Sequence, residues 1–93
     1  MRNASNALLN EILERKDIKT DYQLAKLLKI RQQILSNYRS GRTQMSDEMV
    51  LRFAALIGKD PAPILADLAA ERSKSAEVAK VWKEAARRLS RPK

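Results

Sequence analysis

From residue 3 to residue 90 the apolar side chains recur at spacings of three and four, broken by short polar junctions, and no stretch alternates long enough to make a strand. Such a chain buries its apolar surface in one way, by packing helices stripe against stripe. Its 93 residues allow one modest core and no large enclosed cavity. The expected class is all-α, with six helices, the last standing beside the main bundle.

The junctions carry recognisable start and stop signals. Ala4, Ala7, Leu8 and Ile12 share a face of a first helix over 3–16, with Leu9 and Leu13 beside them. Thr20 then caps a second helix, and Gln23 stands three positions on, where its amide is expected to return to the backbone of the cap. That helix carries Leu24, Ala25, Leu27 and Leu28 and stops near Lys29. A third begins at Arg31 or Gln32 and runs to about Ser40, with Leu35 and Tyr38 inward and Gln33, Ser36 and Asn37 outward. Gly41 suits the left-handed position after it.

Residues 42–45 read as a connector. Met49, Val50, Phe53, Ala54, Leu56 and Ile57 form the next helical face, begun by Ser46 with Asp47 and Glu48 in the first turn and ended by Gly58. Asp60 caps a fifth helix with Pro61 at its first position, and Ile64, Leu65, Leu68 and Ala69 make its stripe. After a junction over 72–76, a last helix to Ser90 places Val78, Val81, Trp82, Ala85 and Leu89 on one side. Arg91, Pro92 and Lys93 are expected to fray.

Composition narrows the function. Cysteine and histidine are absent, so neither disulfides nor the commonest zinc ligands are available. Asp47 and Glu48 are adjacent and diverge on a helix, and no glycine-rich phosphate loop or metal-ligand cluster is present, so no enzyme, metal or cofactor is expected. The first residues lack the apolar run of a signal peptide, and no stretch approaches a membrane span, which makes a cytoplasmic protein the expectation, on the nucleoid when bound to DNA.

The formal net charge is +8, which attracts polyanions without implying sequence preference. Its distribution says more: between Asp21 and Asp47 there is no acidic residue, while Lys26, Lys29, Arg31, Arg39 and Arg42 all fall there. In that interval the third helix presents amides and small polar groups instead of an ordinary Glu/Lys mixture. Gln and Asn amides match the donor and acceptor of adenine in the major groove, and surrounding cations bind phosphates.

The segment from Thr20 to Gly41 resembles the helix-turn-helix of the lambda Cro and lambda repressor-like family. Leu24-Ala25 corresponds to that family's Leu-Ala in the scaffold helix, Ile30 to its apolar turn residue, Leu35 to the anchor of its recognition helix, and Gly41 to the glycine that follows. The resemblance covers roughly residues 4–70 and implies a five-helix DNA-binding domain over 1–70, with 71–93 as a helical extension. It implies a sequence-specific regulator of transcription, a repressor that occupies promoter DNA.

Carried over residue by residue, the resemblance makes Gln32, Gln33, Ile34, Ser36 and Asn37 the base-contacting set. Ile34 has two roles open, a thymine methyl contact or partial burial. Thr20, Arg31, Tyr38, Arg39, Arg42 and Thr43 become the phosphate-contacting set, with core packing as the other role for Tyr38. The chain departs from the pattern at three positions. Lys29 replaces the turn glycine, Arg31 the small polar cap, and Asp21 a phosphate-binding glutamine, so phosphate anchoring is expected at the Thr20 end, Arg39, Arg42 and Thr43.

A second resemblance is to a group of phage-related helix-turn-helix proteins in which an Asp-Pro segment and a Trp-containing terminal helix follow, here Asp60-Pro61 and residues 71–89. Proteins of this size gain affinity by pairing two recognition helices, so a homodimer is expected. The Val78, Val81, Trp82, Ala85 and Leu89 stripe is either the dimer surface or an intramolecular contact. The alternative function is that of an antitoxin, which binds DNA and also covers a toxin protein.

Overall fold

Four successive helices end in the same backbone motif, and its repetition sets the path of the chain. A computed structural model describes residues 3–90, which form α1 (Ala4–Arg15), α2 (Asp21–Leu28), α3 (Gln32–Ser40), α4 (Asp47–Leu56), α5 (Pro61–Arg72) and α6 (Ala76–Ser90), with no strand among the described residues. Just beyond α1 to α4, Asp17, Lys29, Gly41 and Gly58 take φ of 53°, 58°, 80° and 63°. The next N–H then reaches back to a carbonyl in the last turn: Ile18 to Leu13 at 2.8 Å, Ile30 to Ala25 at 3.1 Å, Arg42 to Asn37 at 3.0 Å and Lys59 to Ala54 at 2.9 Å. Each motif satisfies carbonyls that the helix leaves open and turns the chain sharply. The expected fraying of Arg91, Pro92 and Lys93 concerns positions outside the described residues.

The helix starts are capped by side chains at Asn3, Thr20, Ser46 and Asp60, whose oxygens accept from the N–H groups of Asn6, Gln23, Met49 and Ala62. The box at α2 differs from the expectation in one bond. Gln23 Oε1 accepts from the Lys19 N–H at 3.3 Å, one residue before the cap. Only α3, among helices with a described cap, lacks a side-chain cap bond, because Arg31 stands at that position.

Phe53, Leu9, Ile12, Leu24, Leu28, Leu35, Met45, Leu68 and Val50 are fully buried and make one core shared by α1 to α5. Each of the larger apolar side chains contributes on the order of 2 kcal/mol by leaving water. Met45 belongs to the connector before α4, so this loop residue serves as a core plug. Leu27 and Leu56, which share the apolar spacing, lie at the exposed edge.

The end of α5 holds that connector in place. Arg72 donates to Gln44 Oε1 at 2.8 Å, to the Met45 carbonyl at 3.0 Å and to Asp47 at 3.3 Å. Glu71 accepts from the Ala4 N–H at 2.6 Å and from Gln44 Nε2 at 3.2 Å. The helix thus continues through the expected division after residue 70, and the break falls at Ser73–Ser75, between α5 and α6.

The last helix, α6, lies against α5 and buries Ala86. Its larger apolar side chains are only partly covered within the chain: Val78, Val81, Trp82 and Leu89 are 47%, 69%, 42% and 49% exposed, and Ala85 is half-buried. The whole is a compact all-α bundle of six helices with a radius of gyration of 13.3 Å.

Candidate functional site

Helix α3 owes its position to two buried residues one turn apart. Leu35 and Tyr38 are 2% and 6% exposed and hold the inner face of the helix in the core. Because side chains of a helix rotate by about 100° per residue, that anchoring turns the intervening positions outward. Gln32, Gln33, Ile34 and Ser36 are exposed and Asn37 is half-buried. Gln33 Nε2 donates to Asn37 Oδ1 at 3.1 Å, one turn on, which leaves Gln33 Oε1 and the Asn37 amide N–H groups free to meet a ligand. All five expected base-contacting positions therefore lie on or at the edge of the outer face.

The expected phosphate-contacting residues divide. Arg31 and Arg42 are exposed and have no acidic partner within 4 Å among the described residues, and Thr43, next to Arg42, is exposed. Thr20 is exposed, but its hydroxyl is occupied as the α2 cap. Tyr38 is a core residue, and burial raises its hydroxyl pKa above the ordinary value, so of its two expected roles the fold realises packing.

Arg39 departs furthest from expectation. Its guanidinium is not free: Nε and Nη2 donate to the two carboxylate oxygens of Asp21 at 3.1 and 3.0 Å, and Nη1 donates to Asn6 at 3.1 Å and to Asn10 at 2.7 Å. The carboxylate of Asp21, which replaces the phosphate-binding glutamine of the family the segment resembles, is neutralised by this pair. The basic interval thus presents Lys26, Lys29, Arg31 and Arg42 without a paired carboxylate among the described residues.

A shallow groove separates the start of α2 from α3, lined by Asp21, Tyr22, Gln32, Gln33, Leu35, Ser36 and Arg39. Tyr22, 55% exposed, carries Lys26 over its ring at 4.7 Å. Sequence reading passed over this pair, although an aromatic with a lysine four residues on is the spacing that stacks them on one helix face. It also missed Arg52, which donates to the Leu28 carbonyl at 2.7 Å and ties the end of α2 to α4. Among the described residues no group of three or more His, Cys, Asp or Glu side chains is placed to hold a metal ion. No described helix is long and apolar enough to cross a membrane.

The sequence is 37% identical over 73 residues to the uncharacterized protein Gp-c of Pseudoalteromonas phage PM2, an alignment that covers 73% of this chain and 78% of the phage protein. The chain belongs to the Gp-c family. No family model matches the sequence, and no solved structure matches it. The Gp-c relationship places a bacteriophage protein in the family, and the name of that protein assigns no activity.

Proposed function

We propose that this protein is a sequence-specific double-stranded DNA-binding regulator, in which α2 and α3 act as a helix-turn-helix and α3 enters the major groove. The observation that carries the reading is the outer face of α3: Gln32, Gln33 and Ser36 are exposed and Asn37 is half-buried, near Arg31 and Arg42, which pair with no carboxylate among the described residues. Paired amides read adenine edges, at about 1–3 kcal/mol of discrimination per bidentate contact. The methyls of Ile34, 36% exposed, suit a thymine methyl. Arg31 and Arg42, at opposite ends of α3, with Thr43 and the Thr20 end of α2, hold the phosphates that fix its register.

Pairing completes the reading. A single α3 spans only a few base pairs, and two copies read half-sites about one helical turn apart. The partly exposed stripe of α6 suits the contact between copies, with Trp82 as the apolar anchor. Occupation of promoter DNA by such a homodimer represses transcription. A toxin protein on the same stripe is the alternative occupant.

Selection from a randomised duplex pool at physiological salt, followed by footprinting, tests the proposal. The expected result is one preferred site with two-fold symmetry. Recovery of no preferred duplex sinks it. Co-purification of the chain with a separate small protein, in place of a homodimer, favours the antitoxin reading.

A further inference from the structure

The guanidinium of Arg39 joins three helices, making four hydrogen bonds to side chains of Asn6 and Asn10 on α1 and Asp21 on α2. Asn6 closes the arrangement by donating its own Nδ2 to the Arg39 carbonyl at 3.2 Å, so the end of α3 is held by both backbone and side chain. A planar fork with five donors is the only side chain that can grip a carboxylate with two parallel bonds and still reach two amide oxygens. The Arg39 side chain is 23% exposed while its partner Asp21 is 49% exposed, so the site is open to solvent on the carboxylate side.

The geometry points to Arg39 as a positioning residue, one that sets the angle of α3 against α1 and α2 and so aims Gln33 and Asn37, without itself contacting DNA. This deepens the DNA-binding reading and rests on it. Four of the five guanidinium donors are already engaged, and a phosphate could take Arg39 only by displacing Asp21. A helix anchored at Leu35 and Tyr38 alone keeps its inner face buried but is free to pivot about that face. The clamp acts at the C-terminal end of α3 and resists that pivot.

Asp21 makes the test decisive, because the two roles of Arg39 differ in the ratio of selected to scrambled affinity. Were Arg39 a phosphate contact, Asp21→Asn would release it, remove a negative charge from the interface and tighten every duplex. As a clamp partner, Asp21→Asn instead loosens α3. The experiment compares wild type, Asp21→Asn, Asn10→Ala and Arg39→Lys on the duplex that wild type selects and on its scrambled counterpart, over a range of salt. Far-ultraviolet circular dichroism and melting curves confirm that each variant is folded at the assay temperature, and the isosteric Asp21→Asn and the mild Asn10→Ala keep the test open if Arg39→Lys is not.

The expected result is a fall of about 10-fold in the ratio of selected to scrambled affinity for Asp21→Asn and Arg39→Lys, the size of one lost base contact. The salt slope should change by less than the ~0.9 that one phosphate contributes, since Arg39→Lys keeps its charge and the clamp neutralises no phosphate. Tighter binding of both duplexes by Asp21→Asn with the selected-to-scrambled ratio unchanged, or a wild-type ratio in folded Arg39→Lys, overturns the clamp and leaves the groove reading intact. A wild-type protein without duplex preference ends the groove reading and the clamp's aiming role with it.

Discussion

Gln33 donates to Asn37 across one turn of α3, at 3.1 Å, so the two amides proposed to read bases are a single hydrogen-bonded unit before any ligand arrives. A paired amide keeps its plane fixed and gives up less rotamer freedom on binding than a free one. Gln33→Ala and Asn37→Ala are each expected to lose about 1–3 kcal/mol of discrimination at the contacted base pair. Because either change also releases the other amide, the double variant should lose measurably less than the sum. Competition binding on the selected duplex and its single-base variants checks this. Equal weakening of selected and scrambled duplexes would falsify the reading role.

Arg31 and Arg42, exposed and unpaired with carboxylates, should behave differently from the amides. Replacing either by Ala is expected to weaken all duplexes together and to lower the slope of log affinity against log salt by ~0.9. A change in base preference, with the slope intact, would remove them from the phosphate-contacting set.

Tyr38 supplies a pH prediction. Burial raises its hydroxyl pKa, so the folded protein holds this proton after an unfolded tyrosine has begun to lose it near pH ~10. The stabilisation is fully present below that value and is lost as pH rises through the folded pKa. Tyr38→Phe should therefore flatten the alkaline fall in stability, read from urea midpoints between neutral and alkaline pH, and should leave DNA affinity unchanged. Weaker binding by folded Tyr38→Phe would return the hydroxyl to the phosphate set.

Lys29 occupies the left-handed position after α2, at φ 58°, where a side chain costs about 1–2 kcal/mol and glycine avoids that strain. Glycine also gives the unfolded chain more freedom, at about 0.5–1 kcal/mol. Lys29→Gly is expected to stabilise the fold by up to about 1 kcal/mol, seen as a higher urea midpoint at constant m. A lower midpoint would show that the lysine stem contributes packing that outweighs the strain.

On α6 the most exposed apolar residue is Val81. A Val81→Lys change touches no core contact and should leave the melting temperature of the dilute monomer nearly unchanged. It should nonetheless weaken self-association, measured by sedimentation. Trp82 is the chain's only tryptophan, and its emission should shift to shorter wavelength with wild-type concentration but not with the variant. A wild-type chain that stays monomeric at high concentration removes the homodimer from the proposal.

The local grammar of the chain was enough to locate all six helices, since caps at Thr20, Ser46 and Asp60 and glycines at 41 and 58 act within a turn of the bonds they make. It was also enough to set Leu35 and Tyr38 inward and Gln33 outward, because the periodicity of α3 is a property of neighbouring residues. Residues far apart in the chain escaped it. That Arg39 turns from solvent to grip Asp21, Asn6 and Asn10, that Arg72 closes over Met45, and that the α6 stripe stays partly exposed depend on where whole helices pack, and charge or apolarity at a position carries no record of which distant group it will meet.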